Sequence, residues 1–111
     1  MLSLKKHELK GHDVFEFMQG ELDEHWLESS IYITEEVFAQ TELIDVFTDT
    51  LVNFNYYGPT EVNEAEWENI KQIVLTSKSS KEKASKQLLA EIDEWANECF
   101  KKYSCFTICG M

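Results

Sequence analysis

The residues of this chain with chemistry to offer are three cysteines (Cys99, Cys105, Cys109), three histidines (His7, His12, His25) and 21 carboxylates. A catalytic nucleophile needs a base beside it and a group that orients the base. The sequence holds no Gly-x-Ser-x-Gly, no Cys-Gly-x-Cys-Trp and no His-Glu-x-x-His, so no pattern of that kind is present. Four glycines provide neither a Walker loop nor a dinucleotide fingerprint. The acid run Glu21-Leu22-Asp23-Glu24 lacks the ligand alternation and turn glycine of a calcium loop. On a strand, Cys105 and Cys109 lie about 13 Å apart, too far for one disulfide or one metal ion. Nothing in the spacing ties His7 or His12 to those cysteines. The expectation is no catalytic residue, no metal and no cofactor. The odd cysteine count predicts reduced thiols.

What the acids do offer is a field. The 111 residues carry a net charge of −11, and all ten bases are lysine. Between Gly11 and Ile70 there is no lysine, against 15 Asp and Glu, while each flank is +2. Fifteen uncompensated carboxylates repel one another and weaken the compact state, so solubility or a cationic partner must account for them. A chain without arginine or a basic patch is a poor ligand for DNA, RNA or anionic lipid. No apolar run approaches the roughly 18 residues of a membrane helix, and the start, Met1-Leu2-Ser3-Leu4-Lys5-Lys6, has no apolar signal stretch. A cytosolic, non-membrane protein of one domain is expected, long enough to bury roughly two-thirds of its unfolded surface.

The elements that must position these residues are unevenly legible. From Lys81 to Tyr103, Ala84, Leu88, Leu89, Ile92, Trp95, Ala96, Cys99, Phe100 and Tyr103 recur at three- and four-residue steps, predicting an amphipathic helix with Ser80 as its cap. Asn63 and Glu66 form a capping box, with Val62 and Trp67 at the staple positions. They predict a helix over 64–77 that buries Trp67, Ile70, Ile73 and Val74. Thr34 before Glu35-Glu36 predicts a third helix over 35–52, with a possible break near 40. Val14, Phe15, Phe17 and Met18 fit a strand as easily as a helix, whereas Leu22, Trp26 and Leu27 prefer helical spacing; the reading taken is a helix over 13–27. Residues 30–33 and 104–109 predict short strands that could pair, and 53–60 an extended loop or strand end with a turn at Gly58-Pro59. The class is α+β, mostly helical, with three to four helices and a small sheet of short strands.

On that frame Glu35, Glu42, Asp45 and Asp49 fall on one exposed helical face. Like charges at three- and four-residue spacing cost a few tenths of a kcal/mol per pair, roughly, so helix stability did not place them there. With Glu36 they are the candidate partner-binding carboxylates. Tyr56, Tyr57 and Trp26 are the candidate aromatic anchors, although Trp26 reads equally well as a core residue.

Phe54-x-Tyr56-Tyr57-Gly58-Pro59-Thr60, the Trp67 helix, Glu91-Ile92-Asp93-Glu94-Trp95 and the closing Cys105-Phe106-Thr107-Ile108 together resemble small bacterial immunity proteins. These neutralise polymorphic or contact-dependent growth-inhibition toxins. The resemblance covers residues 12–110 in general character. It implies a cytosolic antidote without catalytic residues whose partner is a cognate toxin, expected to be a basic nuclease domain, with carboxylates standing where substrate phosphates would lie. The alternative from another class is a small acidic structural or regulatory subunit that self-associates through an apolar face.

Overall fold

The computed structural model describes residues 2–11, 13–21, 27–51, 53–78 and 80–110. Its centre is a strand where a helix was expected: β1 (Val14–Gln19) replaces the first part of the helix over 13–27. Phe15 and Phe17 belong to the main core, while Glu16 and Met18, on the alternate positions, are 3% and 0% exposed. Burial on both faces erases the alternation that marks a half-covered strand, which is why this run is ambiguous as sequence. Gly20 ends the strand at φ +78, and a Cβ there would come within 2.8 Å of the Tyr103 ring. Leu22 and Trp26 lie outside the described residues, and Leu27 is not helical.

β2 (Ile31–Thr34), β3 (Pro59–Asn63) and β4 (Cys105–Cys109) complete a four-stranded antiparallel sheet in the order β2-β1-β4-β3. The two strands expected from sequence are present, but β1 lies between them, pairing Phe17 with both Ile31 and Ile108. Pro59, expected in a turn within an extended loop or strand end, opens β3, an edge strand where a missing N–H is tolerated. The opposite edge is covered by the N-terminal segment: Leu4 and Tyr32 exchange backbone hydrogen bonds of 2.8 and 2.9 Å.

Among the described residues, four α-helices accompany the sheet: α1 (Glu35–Ala39), α2 (Leu43–Thr50), α3 (Glu64–Thr76) and α4 (Glu82–Phe100). The expected 35–52 helix is divided at Thr41, whose Oγ1 donates to the Phe38 carbonyl and accepts from the Leu43 amide. Thr34 caps α1 by accepting from Val37, and the Asn63–Glu66 capping box is formed. Three local expectations fail. Ile73 is 38% exposed rather than part of the buried stripe. Lys81, not Ser80, occupies the N-cap of α4, with no side-chain cap. α4 stops at Phe100, leaving Tyr103 exposed against Gly20 instead of on the helix stripe.

The helices pack on the face that carries Phe15 and Phe17. Phe106 sits among Phe17, Trp67, Trp95 and Phe100 with ring centroids 5.5–5.9 Å away. The indole N–H groups find acceptors, Trp67 on Asp93 and Trp95 on the Ser29 carbonyl, both at 2.9 Å. No helix among the described residues is long and apolar enough to cross a membrane.

Candidate functional site

Among the described residues, an open groove of about 860 Å³ lies between the N-terminal segment and the junction of β2 with α1. Leu4, Leu9, Val14 and Ala39 give it an apolar lining. Glu8, Asp13, Glu35 and Glu36 line it with carboxylates, against the single lysine Lys10. All four acids are exposed. Among the described residues none of them forms an ion pair with a lysine.

One wall is held from a distance. The Glu91 carboxylate on α4 accepts from the Leu2 amide, the Ser3 amide and the Ser3 hydroxyl at 2.7–3.0 Å. Partial burial alone would push Glu91 up, but these donors outweigh it and hold its pKa below the ordinary value. With Ser3 fastened to α4 and Leu4 to β2, the segment has a defined course before it turns at Lys6–Glu8.

Beyond Glu35 stand the two tyrosines. Burial first, and then the negative charge of Glu35 nearby, push the Tyr56 pKa up. Its ring meets Phe15 edge-on at 5.0 Å on the core side and Tyr57 at 5.0 Å on the outer side. Tyr57 is 76% exposed. The turn that presents it is built by Asn55, whose Oδ1 accepts from the Tyr57 amide and whose carbonyl accepts from Gly58. Gly110 backs the turn so closely that a Cβ would lie 2.0 Å from the Tyr56 carbonyl oxygen. A large, amphipathic side chain is thus held outward on a rigid support.

The structure therefore brings Glu35, Glu36, Tyr56 and Tyr57 into one contiguous region. Asp45 and Asp49 are exposed on α2 but do not line the groove. Glu42 is half-buried at the N-cap of α2, its amide donating to Ser85 Oγ on α4. Trp26 lies outside the described residues. Sequence reasoning did not single out Glu8 and Asp13. Glu8 lies in a lysine-bearing flank, and no local signal shows that the N-terminal segment folds back along β2.

A second carboxylate stands out for burial. Glu16 Oε2 accepts from the Leu27 amide at 3.0 Å and the Ser30 hydroxyl at 2.8 Å, with the Tyr32 hydroxyl 3.3 Å away; that hydroxyl lies 2.7 Å from the Leu27 carbonyl. Burial and the adjacent Glu16 charge raise the Tyr32 pKa. Burial first, then Glu16, pushes the Cys109 thiol up to about 11, and burial raises Cys99 and Cys105. Thiols held in that form are poor nucleophiles at neutral pH. Neither Glu16 nor Tyr32 lines the groove, and the cluster's visible work is to fasten residues 27–30 against the sheet. Among the described residues no three His, Cys, Asp or Glu are arranged to hold a metal ion. No family model, curated protein or solved structure matches the chain.

Proposed function

We propose that this protein is a binding inhibitor of the immunity type, which docks a basic toxin domain through the region formed by the groove, Tyr56 and Tyr57. The observation that carries the reading is Tyr57: a tyrosine left 76% exposed, propped by Tyr56, and joined through Glu35 to a carboxylate-lined groove. An aromatic anchor beside concentrated like charge is what a fast, specific encounter with a cationic protein needs. Asp45 and Asp49 add to the attractive field without having to touch the partner, and steering of this kind raises association rates by roughly one to three orders of magnitude. The role is occlusion, so no residue of this chain acts as a catalyst, and it is exerted in the cytosol.

The test has two stages. Proteins captured from the native host by the wild-type chain are compared with those captured by Tyr57→Ala and by the Glu35→Lys/Glu36→Lys pair. Each candidate is then expressed with and without the chain. The reading expects one captured protein that arrests growth alone, is relieved by the wild type and escapes both variants. Captured proteins that are all harmless, or a toxic one relieved equally by the variants, would overturn it.

A second reading, self-association, is favoured by Ile73 and Leu75, which are 38% and 51% exposed on α3. Sedimentation velocity separates the two: a dimer abolished by Leu75→Glu supports the second reading, and a monomer removes it.

A further inference from the structure

Resting on the reading above and deepening it, we infer that the groove is the seat of an extended partner segment in which basic and apolar side chains alternate. Its lining is of two kinds, and each constrains the occupant. Leu4, Leu9 and Ala39 offer apolar surface that a purely hydrophilic polycation has no means to use. Four carboxylates against one lysine make the same groove hostile to an anionic chain and favour a cationic one. A volume of about 860 Å³ accommodates several side chains, more than a single cation fills.

The walls also set the occupant's form. Leu4 already pairs with Tyr32, so the sheet edge beside the groove has no room at that point for an added strand. Recognition must therefore come from side chains rather than from ladder hydrogen bonds. A segment with period-two alternation carries both kinds of side chain along its length, so it can meet the apolar lining and the carboxylates together. Because Glu91 and Tyr32 fix Leu2, Ser3 and Leu4 in place, this wall of the groove is formed before binding and little ordering is left to the encounter.

The probe is a fluorescein-labelled heptapeptide of alternating Lys and Leu, read by fluorescence anisotropy and by amide chemical-shift changes in the isotope-labelled full chain. Alternating Lys-Ser and Glu-Leu heptapeptides and spermine serve as comparisons. The inference expects the Lys-Leu peptide to bind roughly tenfold tighter than Lys-Ser, the equivalent of about 1.4 kcal/mol. It also expects shifts concentrated over residues 8–14 and 34–39. Glu35→Lys/Glu36→Lys is expected to weaken binding roughly tenfold, whereas the charge-matched Glu64→Lys/Glu94→Lys, at exposed sites outside the groove, changes it less than about twofold. Equal weakening by both pairs would reduce the effect to net charge and overturn the inference. So would Lys-Ser binding as tightly as Lys-Leu, or spermine displacing the peptide at matched charge. Peptide shifts confined to residues 55–58 would overturn the groove as seat while leaving the inhibitory reading intact. A toxic partner indifferent to Tyr57→Ala and to the Glu35/Glu36 pair would defeat that reading whatever the peptide does.

Discussion

Two regions of this molecule treat charge differently. Along α3 and α4, three lysines are matched within the chain: Lys71 sits 2.8 Å from Glu68 and 3.1 Å from Asp93, Lys86 pairs with Glu82, and Lys101, just past α4, pairs with Glu98. The Glu68 contact, opposed by partial burial and helped by Asp93, holds the Lys71 pKa above its ordinary value. In the other region, Glu8, Asp13, Glu35 and Glu36 share a groove with only Lys10, and Tyr57 stands uncovered nearby. The difference teaches where an outside partner is needed. Surface ion pairs contribute little to stability, yet each cancels part of the field around it. The groove's carboxylates leave their field directed outward, and the compact state bears the repulsion.

The largest effects should come from positions that serve neither region. Trp95 is 8% exposed, and Trp95→Ala is expected to lower unfolding free energy by about 3–5 kcal/mol, equally at low and high salt. Urea denaturation at two ionic strengths checks this; a marked salt dependence would show that the core and the charge pattern are not separable. Next, Glu16→Ala removes the acceptor for the Leu27 amide and the Ser30 hydroxyl, with an expected loss of about 1–3 kcal/mol for each group left unsatisfied. A change below about 0.5 kcal/mol in the same urea titration would mean that residues 27–30 do not depend on Glu16.

In the paired region, Lys71→Ala should cost about 1 kcal/mol or less, an effect that shrinks with added salt. At the groove two effects oppose each other. Glu35→Lys/Glu36→Lys relieves repulsion but replaces two acids in the first turn of α1, so stability should change by about 1 kcal/mol or less, although binding is impaired. If thermal unfolding showed the groove variant to be damaged beyond that, the carboxylates would be structural and the contrast between the regions would fail.

The smallest effect concerns pH. Since Glu91 titrates below its ordinary value of 4.5 in the folded chain, the folded state favours its ionised form. The stability it contributes is present above the unfolded pKa and is lost as pH falls through the lower, folded one. Amide exchange at Leu2 and Ser3 should therefore gain protection as pH rises out of the acid range, after correction for intrinsic exchange. Glu91→Gln should flatten that dependence. A variant with an unchanged profile would place the anchor of the groove wall elsewhere.

How much of this was legible depends on whether the signal was local. α4 and α3 announce themselves through stripes ending in buried Leu88, Ile92 and Trp95 and through the Asn63–Glu66 box. Thr41 as a break point is also local chemistry. β1 is ambiguous in the sequence because Val14 to Met18 are buried on both sides, a property of the sheet's surroundings and not of the run itself. Glu16 was one acid among 21 until the fold enclosed it. The tyrosine pair was visible, but its division into a support and an exposed anchor is set by Phe15 and Gly110. Half of the groove's carboxylates were hidden for a longer-range reason: Glu8 and Asp13 follow a segment whose start is fixed by Glu91, 88 positions from Ser3.

The central claim is that the groove with Tyr57, and not the paired-charge helices, meets the partner. Hydrogen–deuterium exchange on the purified chain with and without its captured partner tests this most directly. The account predicts new protection at residues 4–14, 34–39 and 55–58, with α3 and α4 unchanged. Protection confined to the exposed faces of α3 and α4, with the groove and the tyrosine turn exchanging as in the free chain, would contradict it.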